Sequence, residues 1–311
     1  MFNKRNSEIR ICWKNYHTPH SIEEAVRWLE HYDGAARVLG GGTDLLLDIQ
    51  QGRSPVEEAM VDTSRIAGLD HISIEHDHIV IGCAVTHTQI VREDSIRRSG
   101  TCLVESCGVI GGPQVRNVAT LAGNVAHAMP AGDGSIGLLA LDGEIEVADA
   151  RGCRWMPLRD AFLGPGKSAI DPSRAVLTRL RFRPTAAGEG SAFTRIMRPQ
   201  GVALPMISMA ARLQVDDNET ITAVRISLGP AGPVPHLAVA AMNLLKGRPA
   251  VVQEFNKAAD TVLASIPLRS SKHRATREYR EEMIRTHLPM ILTRAAERAR
   301  GGQVVPQGLG L

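Results

Sequence analysis

Two glycine-rich segments about eighty residues apart, Gly40-Gly41-Gly42-Thr43-Asp44 and Thr120-Leu121-Ala122-Gly123-Asn124, constrain this chain more than any other feature. Glycine has no Cβ and tolerates positive φ, so such loops bring bare backbone N–H groups up to an oxyanion. Neither segment carries the lysine of a P-loop. Neither is a G-x-G-x-x-G after a strand with an acid about twenty residues on, so the doubly wound dinucleotide fingerprint is absent too. Facing each other, the two loops would hold a pyrophosphate from both sides. Thr43, Thr120 and Asn124 would add hydroxyl and amide donors, and Asp44 or Asp133 would accept from a ribose hydroxyl or an adenine amine. Each loop taken alone is also what a tight turn requires; the pair, with donors at matching places, favours binding.

The flanking patterns place these loops between regular elements. Ser21 and Glu24 form an S-x-x-E capping box ahead of Ile22, Ala25, Val26 and Leu29, which predicts an amphipathic helix. The apolar run Ala36 to Leu39 reads as a strand entering the first loop, with LLLDIQQG as a helix after it. Short runs between Ala59 and Ala84 read as small strands, and a modestly amphipathic helix precedes the stretch Gly108 to Asp133. The run IGLLALDGEIEVADARG is expected to alternate into strands with a turn at Asp142-Gly143, and ADARGCRWMPL reads as a hairpin. PTAAGEGS, 184–191, is the linker. Beyond it, SAFTRIMR, ALPMISMAARLQV and ITAVRISLG read as strands. A last basic helix from Ala275 to Arg300 should kink at Pro289, and GGQVVPQGLGL should be a flexible tail.

Composition narrows the function classes. The 311 residues are 43% hydrophobic and 22% charged, a globular profile with room for a core in each of two domains. A net charge of +3 gives no field pointing to nucleic acid. No apolar run approaches the roughly 20 residues of a membrane helix, and the N-terminal stretch has no signal-peptide apolar segment, so a cytoplasmic location is expected. The five cysteines form no C-x-x-C pair and read as idle thiols. His71, His76, His78 and His87 lack zinc-site spacing, and no G-x-S-x-G elbow is present, so neither metal nor hydrolase chemistry has support. Arg269, Arg274, Arg277 and Arg280 read as a solvated or subunit-facing helix surface.

VLGGGTDLLLDIQQG, IGCAVTHTQI, GGPQVRNVATLAGNVAHAMPAGDGSIGLLALDGEIEVADARG, FLGPGK and IPLRSSKHRATREYREEMI together resemble the FAD-binding subunits of molybdenum hydroxylases, the xanthine dehydrogenase and carbon monoxide dehydrogenase group. The likeness spans about residues 10–295. It implies an α+β chain: a two-part, PCMH-type FAD-binding domain over 1–184, with a small βαβ-like part to about 65 and a mixed β-sheet part over 66–184. A C-terminal domain of antiparallel strands and helices would follow over 190–300, with the tail at 301–311. Carried over by position, Val38, Leu39, Gly40, Gly41, Gly42, Thr43, Asp44 and Leu45 would wrap the pyrophosphate. Ile110 would lie near the flavin, and Thr120, Leu121, Ala122, Gly123 and Asn124 would form the second loop. Asp133 matches a family aspartate and Leu177 a cofactor-contacting leucine.

The resemblance also implies partners: an iron–sulfur subunit holding 2Fe-2S and a molybdopterin subunit that oxidises the organic substrate. This chain would pass electrons to NAD+ or another acceptor, and no side chain would need to act as a nucleophile. The alternatives are a stand-alone flavoprotein oxidase and a flavin-free assembly subunit. Five positions depart from the family pattern. Gly40 replaces alanine, and Ala122 replaces a glycine, where its methyl would crowd a phosphate. Thr194 replaces a lysine, which if restored would raise the flavin potential, with Arg195 adjacent to compensate. Val202-Ala203 replaces Asp-Ile.

Overall fold

The structure is a computed structural model, which describes residues 13–55, 57–199, 203–272, 274–302 and 304–308. Cys12 and Val202 lie outside the described residues. The first part runs β1 (Asn15–His17), α1 (Ile22–Tyr32), β2 (Ala36–Leu39), α2 (Leu45–Gln50) and β3 (Ala59–Asp62), its strands forming a parallel sheet in the order β1-β3-β2. Helix α1 begins where the capping box placed it. Ser21 Oγ accepts the N–H of Glu24 at 3.1 Å, while the Glu24 carboxylate takes the N–H of His20 at 2.8 Å, one residue earlier than the reciprocal box uses. Ala25, Val26 and Leu29 are the buried stripe.

The second part comprises β4 (Ile72–Glu75), β5 (His78–Gly82), α3 (His87–Arg92), α4 (Asp94–Ser99), α5 (Thr101–Gly108), α6 (Pro113–Arg116), α7 (Leu121–Ala126), α8 (Asp133–Ala140), β6 (Glu144–Asp149), β7 (Gly152–Pro157), β8 (Phe162–Gly164), β9 (Lys167–Ser168) and β10 (Val176–Phe182). Its antiparallel sheet has the order β4-β5-β10-β6-β7. The β6–β7 hairpin turns at Asp149–Gly152, within ADARG. Ile136 to Ala140, read above as strand, belong to α8, all of whose residues are buried. A helix enclosed on every side carries no 3.6-residue period, so its sequence looks like that of a buried strand. Gly137 permits the close approach of α5, because a Cβ there would lie 2.3 Å from Ser106 Oγ.

The C-terminal part is β11 (Glu189–Ile196), β12 (Ile207–Val215), β13 (Ile221–Gly229), β14 (His236–Leu237), α9 (Val239–Leu245), α10 (Val252–Ser265) and α11 (Arg277–Ala299). The strands form one antiparallel sheet in that order, with Thr194 opposite Met209 and Arg195 opposite Ser208. Period-two alternation gives the sheet two apolar faces. Ala192, Met209 and Ala211 pack with the C-terminal helices, whereas Phe193 and Ala210 join the core of the first two parts. Helix α11 runs unbroken through Pro289, which is buried.

The described part of the tail is held at two points, in place of the looseness expected: Val305 O accepts from Arg298 Nη2 at 2.8 Å, and the Gln307 N–H donates to Glu105 Oε1 at 2.8 Å. Arg298 and Glu105 are themselves paired at 2.6 Å inside the interface. Their buried charges supply a donor and an acceptor to backbone groups of the tail.

Candidate functional site

Strand β2 ends at Leu39, and the chain then passes through Gly40 to Asp44 before α2 begins at Leu45. This loop lies directly on the second glycine segment. A Cβ on Gly41 would stand 2.1 Å from Val118 O, and one on Gly40 3.6 Å from Thr120 Oγ1, while Gly42 adopts φ +69°. Only glycine lets two backbones meet at that separation. Thr120 caps α7, its Oγ1 accepting the Gly123 N–H at 3.0 Å. The N–H groups of Gly41, Gly42 and Thr43, and of Ala122 in the first turn of α7, have no protein acceptor among the described residues. Unspent donors on two touching loops, with no lysine or arginine between them, suit an oxyanion bridging the pair. On this observation the residues present fit the pyrophosphate of FAD.

The preceding turn, Val109 to Gly112, is held by two arginines from opposite sides. Arg116 Nη1 donates to Ile110 O at 3.2 Å and to Gly111 O at 3.0 Å. Arg195 donates to Val109 O and Ala203 O and pairs with Asp133 Oδ2 at 3.0 Å. Asp133 is 3% exposed and also accepts from Ser208 Oγ at 2.6 Å. Burial pushes its carboxyl up to about 6, against the pull of Arg195 and Ser208.

The predicted site residues divide by where their side chains go. Gly40, Thr43, Asp44 and Gly123 are exposed; Val38, Gly41, Gly42, Leu45, Ile110 and Asn124 are half-buried; all lie on or beside the two loops. Leu39, Thr120, Leu121 and Ala122 are buried, so Leu121 and Ala122 offer only backbone to a ligand. The Ala122 methyl sits in the hydrophobic core, and so does not crowd a phosphate as expected above. Asn124 Oδ1 accepts from Ser135 N and Ser135 Oγ, both at 3.0 Å, tying the second loop to α8. Leu177 is buried at the bulge of β10, the strand against which α7 packs.

Two of these residues lie apart from the loops' own contacts. Each carboxylate oxygen of Asp133 has a protein partner, Ser208 or Arg195. Thr194 shares the sheet face of Ala192 and Met209, turned toward the C-terminal helices. Arg195, on the opposite face, is committed to Asp133 and two carbonyls. The sequence reading gave no role to Arg116 and set His87 aside with the histidines that lack zinc-site spacing. Arg116 stood inside the quoted P-Q-V-R-N stretch, and its type, a fork with five donors, was the available signal for a residue that gathers carbonyls.

His87 backs the second loop, donating its backbone N–H to Ala119 O at 3.0 Å. Its ring is 1% exposed, and Nδ1 has no hydrogen-bond partner. Burial first, and Arg116 second, lower its pKa to about 4. Because the folded value lies below the ordinary 6.5, the stability tied to the neutral ring is complete above pH 6.5 and is lost as pH falls through about 4. The effect is expected to reach about 3 kcal/mol. Asp133, with its raised value, acts with the opposite sign in the same window, so the comparison is between chains. Urea unfolding between pH 7 and 4.5 should show a shallower acid loss in His87→Leu than in the wild type; parallel pH profiles would refute the assignment.

The family model described as FAD binding domain in molybdopterin dehydrogenase matches residues 7–183, and the CO dehydrogenase flavoprotein C-terminal domain matches residues 191–295. The chain is 28% identical over 289 residues to the xanthine dehydrogenase FAD-binding subunit of Escherichia coli O157:H7, covering 92% of this chain and 97% of that one. It is 27% identical over 291 residues to the nicotinate dehydrogenase FAD-subunit of Eubacterium barkeri, covering 92% and 97%. Among solved structures, carbon monoxide dehydrogenase from Hydrogenophaga pseudoflava superposes with a TM-score of 0.85 at 26% identity, covering 92% of this chain and 98% of that one.

Proposed function

The chain belongs to the family of FAD-binding subunits of molybdopterin dehydrogenases, and from that premise we propose that it relays electrons from an iron–sulfur subunit, through its own FAD, to NAD+ or another acceptor. The organic substrate is then oxidised at molybdenum on a separate large subunit. The observation that carries this reading is the contact of the two glycine loops at Gly41 and Val118, with unspent N–H groups on both. The protein's share of the work is binding and positioning. Gly41, Gly42 and Thr43, with Ala122 in the first turn of α7, would hold the pyrophosphate through backbone donors, Thr43 would add a hydroxyl, and the turn carrying Ile110 would set the edge of the flavin pocket. Arg116 and Arg195 keep that turn in place. FAD supplies the redox chemistry, accepting and releasing electrons singly or in pairs.

No helix among the described residues is long and apolar enough to cross a membrane. The test is purification of the chain with its native neighbours. The reading expects flavin bands in the visible spectrum of this chain, release of FAD on denaturation, and co-purification with a larger molybdenum-containing and a smaller iron-containing subunit. A colourless chain would favour the assembly-subunit alternative. A flavin-loaded chain that oxidises an organic substrate alone would favour the stand-alone oxidase.

A further inference from the structure

A cleft of about 590 Å³ opens between the sheet of the second part and the C-terminal sheet, at the far end of α8 from the glycine loops. The first turn of α8 is tied to Asn124 of the second loop, and the helix ends about 12 Å away, where Leu141 and Asp142 form part of the cleft wall. The described residues that line the cleft include none from either loop. Five arginines and three carboxylates line it, an excess of two positive charges. Arg212 and Arg225 form its floor, directly opposite each other on β12 and β13 and on the sheet face turned away from the C-terminal helices. Like charges so placed repel, and each has a carboxylate of its own: Arg212 Nη2 meets Glu189 at 2.5 Å, and Arg225 Nη2 meets Asp142 at 2.8 Å. Arg181 takes the third, Glu144, at 2.7 Å.

The remaining two, Arg159 and Arg183, carry the excess. Both are exposed, and their acids stand outside the lining: Arg183 Nη2 lies 3.2 Å from Asp77 Oδ2, and Arg159 Nε lies 3.7 Å from Asp160 Oδ1. Surface pairs of this kind contribute little and exchange readily for another anion. Arg159 also bears on the floor. Burial lowers the Arg225 pKa from the ordinary arginine value, Asp142 opposes this, and Arg159 and Arg212 add to the lowering. The two excess cations reach the cleft from separate strands. Pro157 pairs with Glu144, and Glu144 with Arg181, so β7 and β10 stand two strand spacings apart, roughly 10 Å. Arg159 and Arg183 each follow two residues beyond that row, and Pro157 and Ala223 line the cleft with carbon. Two separated cations with carbon between them suit a ligand with a carboxylate at each end of a short chain. A phosphoryl group would concentrate both charges at one point.

We propose that this cleft binds a short-chain dicarboxylate, one carboxylate held by Arg159 and the other by Arg183, above the paired floor of Arg212 and Arg225. The guanidinium fork takes a carboxylate on two parallel hydrogen bonds, and the volume admits an organic ligand together with bridging water. The site shares no residue with the glycine loops, and the proposal is independent of the flavin reading.

The experiment uses the full chain with FAD added to saturation, so that the glycine loops are not free to take the probe. Binding of radiolabelled glutarate is measured by equilibrium dialysis, with butyrate and glycerol phosphate as competitors and sodium chloride holding the ionic strength constant. Saturable binding of about one equivalent is expected, with butyrate and glycerol phosphate each competing at least tenfold more weakly than unlabelled glutarate. Arg159→Gln and Arg183→Gln should each weaken binding at least tenfold at unchanged Tm, because both side chains are exposed and only loosely paired. Asp160→Asn should tighten binding, since it releases Arg159 from its surface partner; a merely structural role for the pair would not produce that gain. The proposal is overturned if the wild type shows no saturable glutarate binding, if glycerol phosphate or butyrate competes as well as glutarate, or if both arginine variants bind as the wild type does. Weaker binding in Asp160→Asn, or glutarate that displaces FAD, would also overturn it. The visible flavin spectrum reports separately on the functional reading.

Discussion

Gly41→Ala is expected to purify as a folded chain with its flavin content reduced at least about tenfold, which corresponds to about 1.4 kcal/mol of binding free energy. The added Cβ would stand 2.1 Å from Val118 O and 2.8 Å from Val118 C, and both are backbone atoms that cannot rotate away. The two loops must separate, which pulls apart the two sets of N–H groups that share one pyrophosphate. Gly123→Ala is the matched control. Its Cβ would meet only Thr120 Oγ1, at 3.1 Å, a side-chain atom with some freedom to adjust. The ratio of visible flavin absorbance to protein, with circular dichroism to verify folding, measures both. Full flavin content in Gly41→Ala would rule out the paired-loop site.

Breaking the Glu105–Arg298 pair is expected to produce the largest loss of stability of any single substitution considered. Glu105 is 1% exposed and accepts from Arg298 Nη2 at 2.6 Å, Phe193 N at 2.8 Å and Gln307 N at 2.8 Å. Arg298 Nη1 also donates to Ser191 O at 2.6 Å. Ser191 and Phe193 lie on β11, the edge strand of its sheet, so the pair satisfies outward-facing backbone groups that would otherwise be buried and unpaired. Arg298→Leu strands a buried carboxylate, and Glu105→Leu a buried guanidinium; each should cost about 3–5 kcal/mol and lower Tm by on the order of 10 °C. The double variant Glu105→Leu/Arg298→Leu should recover part of the loss, because neither charge remains alone. Thermal unfolding of the three variants checks this, and single variants with wild-type Tm would show that the pair is replaceable by water.

Local patterns in the chain were sufficient for a good deal of this protein. The S-x-x-E box placed the start of α1, the alternation of ADARGCRWMPL placed the β6–β7 hairpin, and the spacing of small residues marked both glycine loops as possible ligand sites. These features depend on neighbours within a few positions, which is the range over which backbone propensity and side-chain period act. The long ordered likeness to a family supplied the cofactor, which no periodicity contains.

Burial decided the rest, and burial depends on which distant segment arrives. Helix α8 lost its period because α5 and the C-terminal sheet enclose it. The fates of Thr194 and Arg195, adjacent in sequence, were set by which face of β11 met the helices and which met Asp133. Asp133 found Ser208 75 positions away, and Glu105 found Arg298 193 positions away, so neither partner was visible to a local reading. The same holds for Arg280. Its residue type announced a charge, but only the packing of α11 against the loop after β13 took that charge out of water.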